Sequence, residues 1–199
     1  GNAGPIDLDS ENDTLVADKT TFRLDQLKDP YFPTAGYRIE ADGVFAFKEV
    51  GSTDDFTALE AMAEIPLSCS RHTFTPRVFA GSAFGTELPF SSLFDVGGLD
   101  SFAGYAPYQV FGQYYAVGQL EHRYRFMQLP PTLGDGLFTL LRYDAGNAWF
   151  YRDDVDAENI NHGGLAGFAA DTALGAVRIA IGKAEGLNPR FYFTIGNVF

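Results

Sequence analysis

Three histidines and a single cysteine are the side chains from which metal or nucleophilic chemistry would start in this chain. None is joined in sequence by the partners such chemistry needs. His72, His122 and His162 lack ligand spacing with one another, whereas zinc sites use closely spaced His/Cys pairs. Gly81-Ser82 is not the centre of a G-x-S-x-G elbow. A lipase working on a membrane face would pair a serine with a histidine; His122 is expected to point outward, but no serine is paired with it. Cys69 stands alone, which excludes an internal disulfide and a cysteine-rich metal site. The run Asp153-Asp154-Val155-Asp156-Ala157-Glu158 lacks the glycine and the bidentate-glutamate spacing of a calcium-binding EF-hand loop. It reads as a solvated acidic loop, with divalent-ion bridging to lipopolysaccharide as the alternative. No catalytic residue, metal or cofactor is expected, and the chain is not expected to be an enzyme.

Charge and periodicity say more. A net charge of −12 over 199 residues argues against nucleic acid as a partner. With 19 Phe, 10 Tyr and 22 Gly against 2 Met and 1 Trp, the composition suits strands and turns. No run approaches the roughly 18 apolar residues of a membrane helix. The dominant period is two. Tyr37, Ile39, Ala41, Gly43, Phe45 and Phe47 alternate with Arg38, Glu40 and Asp42. Leu59, Ala61, Ala63, Ile65 and Leu67 oppose Glu60 and Glu64, and Leu120, His122, Tyr124 and Phe126 oppose Gln119, Glu121, Arg123 and Arg125. The last segment places Phe191, Phe193, Ile195 and Phe199 on one face and Arg190, Tyr192 and Thr194 on the other.

These segments predict strands at 17–26, 36–49, 56–67, 72–85, 113–127, 136–149, 163–172, 175–184 and 190–199. Turns are expected at Gly51 to Asp55, Pro130-Pro131, Thr172 to Gly175 and Gly186 to Pro189. Two longer connections, 86–112 and 150–162, alternate with tight turns, as in outer-membrane barrels. Residues 1–13 form a polar segment and 14–199 one architectural unit. Gly1 follows neither an initiator methionine nor a signal peptide, which reads as a mature or truncated piece.

Alternation alone leaves a soluble barrel binding a small apolar ligand open beside a membrane barrel. Three features favour the inverted, membrane arrangement. Both charge signs crowd one face, including Glu64, Arg77, Glu121, Arg123, Arg142, Asp144 and Arg178. Tyr37, Phe47, Tyr124, Phe126, Tyr143, Phe191 and Phe199 gather towards strand ends, where interfacial girdles form. The chain also ends on an alternating strand finishing in an aromatic, a C-terminal signal for insertion carried by Phe191, Phe193, Ile195 and Phe199.

Ordered short motifs carry a resemblance. Leu27-Lys28-Asp29-Pro30-Tyr31-Phe32-Pro33-Thr34-Ala35-Gly36 resembles the "LDnPyFPTrG" segment of the bacterial surface antigen barrels. Those comprise outer-membrane assembly factors, two-partner transporters and patatin-like autotransporters. Phe94-Asp95-Val96-Gly97-Gly98-Leu99-Asp100-Ser101-Phe102-Ala103-Gly104-Tyr105 resembles that superfamily's inward-folded loop with its "GG…RGY/F" motif. Asp144 to Trp149, Ala170 to Val177 and the closing strand resemble its "DxGnxW", "TPLGPL" and terminal motifs. Within it, "FAGY", "GQYYAVGQLEHRYRF", "ADTALG" and "IGKAEG" look most like the patatin-like phospholipase autotransporter barrel.

The resemblance implies an all-β, antiparallel transmembrane barrel in the bacterial outer membrane. The eight or nine strands here would be the C-terminal half of a sixteen-stranded barrel. A complete barrel of eight and a half-barrel completed by a second copy are the alternatives. It further implies an inward loop at 86–112 anchored by Gly97, Gly98, Phe102, Gly104 and Tyr105, with Glu121, Arg123, Arg142 and Asp144 as lumen-wall partners. Ala103 stands where assembly factors carry arginine, so either Arg123 or Arg142 satisfies the acidic wall residues or the loop docks differently. The glycines would allow tight or left-handed backbone, and the Tyr105 hydroxyl would seek a buried polar partner. The implied function is a translocator or anchor for an N-terminal passenger, with an assembly factor that inserts other barrels as the alternative. Outer-membrane lipid, lipopolysaccharide and the barrel assembly machinery are the implied partners.

Overall fold

The computed structural model describes residues 16–196 except Thr53, Pro131 and Leu174. The polar segment 1–13 and Phe199 therefore lie outside the described residues, as do Pro131 and Leu174 of two expected turns. In chain order the strands are β1 (Ala17–Asp25), β2 (Arg38–Ala46), β3 (Phe56–Glu64), β4 (Leu67–Cys69), β5 (His72–Ser82) and β6 (Phe94–Val96). A single helical turn, α1 (Gly98–Ser101), precedes β7 (Val110–Gly112). Then follow β8 (Tyr114–Gln128), β9 (Gly136–Trp149), β10 (Asn161–Thr172), β11 (Gly175–Ala184) and β12 (Arg190–Ile195).

One antiparallel sheet runs β1-β2-β3-β5-β8-β9-β10-β11-β12, with β4 paired to β5. Each of these strands therefore lies beside its neighbours in sequence, as in a meander. β4 continues β3 after a break at Ile65-Pro66. There the Ile65 N–H donates to the Pro76 carbonyl at 3.2 Å, and two prolines that cannot donate to the ladder interrupt the pairing. β6 and β7 form a separate two-stranded ribbon inside the long connection that the sequence reads as loop. Three-residue strands have too little alternation to register as a pattern.

The two ends of the sheet differ. At one, the turn end, the chain connects β1 to β2, β3 to β5, β8 to β9 and β10 to β11; at the other, the loop end, it connects β2 to β3, β5 to β8, β9 to β10 and β11 to β12. The longest connection, between β5 and β8, lies at the loop end, and long loops on one end are the outer-membrane pattern. The burial is inverted, as a membrane barrel requires. Asp144 is 0% exposed and Glu64 2%, whereas Phe191 is 68% exposed and Ile195 64%. A soluble barrel would bury the opposite face, so this distribution removes that alternative.

Room for the inward loop comes from small residues on the inner faces of β10 and β11. A side chain at Gly163 would run into the Phe102 ring and one at Gly182 would meet Ala103 and Tyr192. Leu88, Phe94, Val96, Phe102, Tyr105 and Tyr115 thereby form one buried cluster against Ala46 and Phe56.

Candidate functional site

The site is the occupied lumen, and its centre is the docking of residues 97–105 against the wall. β9 alternates so that Phe138, Leu140, Arg142 and Asp144 all point inward and are buried. Asp144 then meets two donors. Arg142 places Nε 2.8 Å from its Oδ1, an ionic contact, and donates from Nη2 to Oδ2 at 3.1 Å. The backbone N–H of Ala103 donates to the same Oδ2 at 2.8 Å. Arg142 on the wall thus pairs with Asp144, while the loop, with Ala103 at this position, contributes a main-chain donor.

Two further bonds fix the next residue. The Gly104 N–H donates to the Tyr192 hydroxyl at 2.8 Å, and Arg190 Nε donates to the Gly104 carbonyl at 3.0 Å. Gly104 has φ +98° and packs on the backbone of Lys183 and Ala184, so a side chain there is excluded twice over. Gly98, at φ +88°, uses the same left-handed freedom. Gly97 does not: its φ of 169° is extended, and it is required because the Ala106 carbonyl sits where its side chain would be. Phe102 and Tyr105 meet at a tilt with centroids 4.8 Å apart and both are buried. The hydroxyl that reaches a loop amide belongs to Tyr192 rather than Tyr105. Burial pushes the Tyr105 hydroxyl above its ordinary pKa, with Glu185 adding to the rise, so it stays neutral.

A charged network continues around the wall. Glu64 is held by Arg38 Nη2 at 2.6 Å and by Arg77 through Nη2 at 2.7 Å and Nε at 2.9 Å. Arg77 also donates to Gln119 Oε1 at 3.2 Å. The other end of that amide donates to the loop carbonyls of Asp100 at 2.9 Å and Ser101 at 2.6 Å. Glu121 is less tightly held, with Arg123 Nε at 3.7 Å. Tyr115 donates to Glu60. Buried ions demand such partners, since an unpaired one costs several kcal/mol.

From the turn end a second plug enters. Phe32 is 3% exposed and stacks on Phe138 at 4.9 Å. The guanidinium carbons of Arg123 and Arg178 lie 5.5 and 5.7 Å from its ring centroid, within cation–π range. Arg123 also donates to the Pro33 carbonyl. Between the plugs remains a space of about 700 Å³ bounded by Arg38, Glu64, Arg77, Asp100, Glu121 and Arg178.

Of the wall residues singled out from sequence, Arg142 and Asp144 meet the loop, whereas Arg123 and its neighbour Glu121 lie by the turn-end plug; Tyr192, Arg190, Gln119 and the role of Phe32 were not foreseen. The first three occupy inward positions in strands whose alternation was read, so their direction was available. What each would touch was not. Sequence reasoning also missed a pairing of His72 and His122, whose Nδ1 and Nε2 lie 3.0 Å apart across β5 and β8 on the outer face. His122 stacks on Phe74, and the Tyr124 ring lies tilted against His72. Among the described residues no group of three or more His, Cys, Asp or Glu is placed to hold a metal ion. Of the C-terminal residues singled out, Phe191, Phe193 and Ile195 lie on β12 and face outward, exposed.

The Omp85 superfamily domain matches residues 2–199. Among solved structures, the chain is similar to BamA of Haemophilus ducreyi lacking POTRA domains 1–3, with a TM-score of 0.70 at 15% identity. The match covers 89% of this chain and 40% of that one, so the chain spans less than half the length of that protein. No curated protein matches it significantly.

Proposed function

Since this chain belongs to the Omp85 superfamily, and so to the bacterial outer membrane, we propose that it is the C-terminal half of a sixteen-stranded barrel serving as translocator or anchor for an N-terminal passenger. The sheet ends on β1 and β12, which have no partner on their outer edges among the described residues. Strand edges in hydrocarbon cannot be left unpaired. Further strands, from the same polypeptide or from a second copy, therefore complete the wall.

The observation that carries the translocator reading is the docking at Ala103. The loop is fixed by main-chain bonds to Asp144, Tyr192 and Arg190, without the arginine that assembly factors use. That departure, with the "FAGY" and "IGKAEG" segments, favours a patatin-like autotransporter barrel, in which any lipase chemistry belongs to a domain outside these 199 residues. The reading as a factor that inserts other barrels is favoured by the likeness to BamA.

Cells expressing the natural full-length protein separate the two. Surface-exposed, protease-accessible passenger that disappears when the barrel is deleted supports translocation. Loss of other barrel proteins from the outer membrane on depletion, with no passenger at the surface, overturns it in favour of assembly.

A further inference from the structure

The lipid-facing surface is not uniform. Along β10 the outward residues His162, Gly164, Ala166 and Phe168 include two without bulk. Their cross-strand neighbours are large: Tyr143 and Lys183 flank Gly164, and Leu141 and Ile181 flank Ala166. Strands spaced about 4.8 Å apart place those two walls roughly 10 Å from each other. The result is a groove of about 530 Å³ floored by Gly164 and Ala166 and closed at the loop end by Pro189. Phe168, stacked edge-on against Phe126 at 6.3 Å, stands further along β10 towards the turn end.

Apart from His122, which lines the wall further towards the turn end, the polar groups of the groove gather at its loop end. Towards the loop end, Lys183 is exposed and forms no ion pair among the described residues. Across the trough from it the Tyr143 hydroxyl and His162 Nδ1 are 2.7 Å apart. When the hydroxyl donates, Nε2 carries the ring proton and becomes a free donor. Two donors, one of them cationic, thus sit at the loop end of an apolar trough one chain wide.

We propose that this groove binds one acyl chain of a phosphorylated outer-leaflet glycolipid of the lipid A type, with a phosphate held by Lys183 and His162. The charge argument is specific. The chain carries a net −12, which would repel an anionic lipid, and Lys183, outward and without an ion pair among the described residues, supplies the local attraction against the exposed Glu185 beside His162. The proposal rests on the membrane placement of the barrel and is independent of what the lumen transports.

The test uses the full-length protein in nanodiscs, with bis-phosphoryl lipid A retention read by native mass spectrometry. Lys183→Gln should lower retention about fivefold, the scale of one lysine near an anionic surface. Ala166→Phe fills the trough from the outer face and should abolish retention, while heat-modifiable migration shows both variants folded. Dephosphorylated lipid A should be retained no better by the wild type than by Lys183→Gln. Unchanged retention in both variants overturns the proposal, as does equal retention of the dephosphorylated lipid. Displacement by equimolar phosphatidylglycerol also overturns it, assigning the groove to phospholipid. Loss of heat-modifiable migration in the wild type would instead strike at the barrel itself.

Discussion

Replacing Asp144 with alanine should be the most damaging single change on the lumen wall. The carboxylate is fully buried, and its removal strands two donors. Arg142, whose side chain is 3% exposed, loses its counter-charge. The Ala103 N–H loses its acceptor at a residue that is 0% exposed. Breaking a buried ion pair from one side costs about 3–5 kcal/mol, and a buried amide left without a partner costs about 1–3 kcal/mol. These overlap, so a loss of about 4–6 kcal/mol is expected. The double variant Arg142→Ala/Asp144→Ala removes the stranded cation and should recover about half of that loss, leaving the orphaned amide. Guanidinium unfolding in lipid vesicles gives the energies, and hydrogen exchange of residues 97–105 reports the loop. Were Asp144→Ala to cost under about 1 kcal/mol with loop protection intact, the docking described here would be wrong. A double variant as unstable as Asp144→Ala would refute the stranded-charge reasoning in particular.

Gly104→Ala should expel the loop, because the new methyl meets the β11 backbone at a left-handed φ. Chymotrypsin cleavage at Phe102 or Tyr105 should then become fast, and wild-type resistance in the variant would count against the docking. Phe32→Ala removes a buried ring and should cost about 3–5 kcal/mol, with an additional share from two cation–π contacts. Planar-bilayer recordings of the full-length protein should show raised conductance, and wild-type conductance would mean that Phe32 does not occlude the lumen.

The strands were legible because period two survives in almost every one, and an inverted barrel writes its two environments on alternate residues. β8 shows this well: Gln119, Glu121 and Arg123 against Leu120, His122 and Tyr124. The interior contacts were less legible, because they join residues distant in sequence through backbone atoms. Ala103 offers no side-chain group to predict from, yet its amide makes the bond to Asp144. Tyr105 looked like the hydrogen-bonding aromatic, but Tyr192, 88 residues beyond Gly104, fills that role. One signal was available and unused: Gly163, Gly167, Ala180, Gly182 and Ala184 recur at inward positions of β10 and β11. A wall of small residues on a charged face implies that something packs against it.

What packs there also couples the two ends of the lumen. Ala103 and Phe32 belong to one apolar cluster with Phe138, Leu140 and Leu165, so loop and turn-end plug share a floor. Arg178 adds a polar link, with Nη1 3.7 Å from Asp100 on the loop and its guanidinium over Phe32. Asp100 is half exposed in that pair, which limits its contribution to about 0.2–1 kcal/mol. The apolar floor and the arginine therefore make different predictions. A double-mutant cycle between Asp100→Asn and Phe32→Leu should give a coupling of about 0.5–1 kcal/mol that vanishes in an Arg178→Met background. Coupling that persists without Arg178 would assign communication between the plugs to packing through Ala103 and Phe138. Displacing either plug would then loosen the other whatever the salt concentration, whereas a link through Arg178 should weaken as salt is raised.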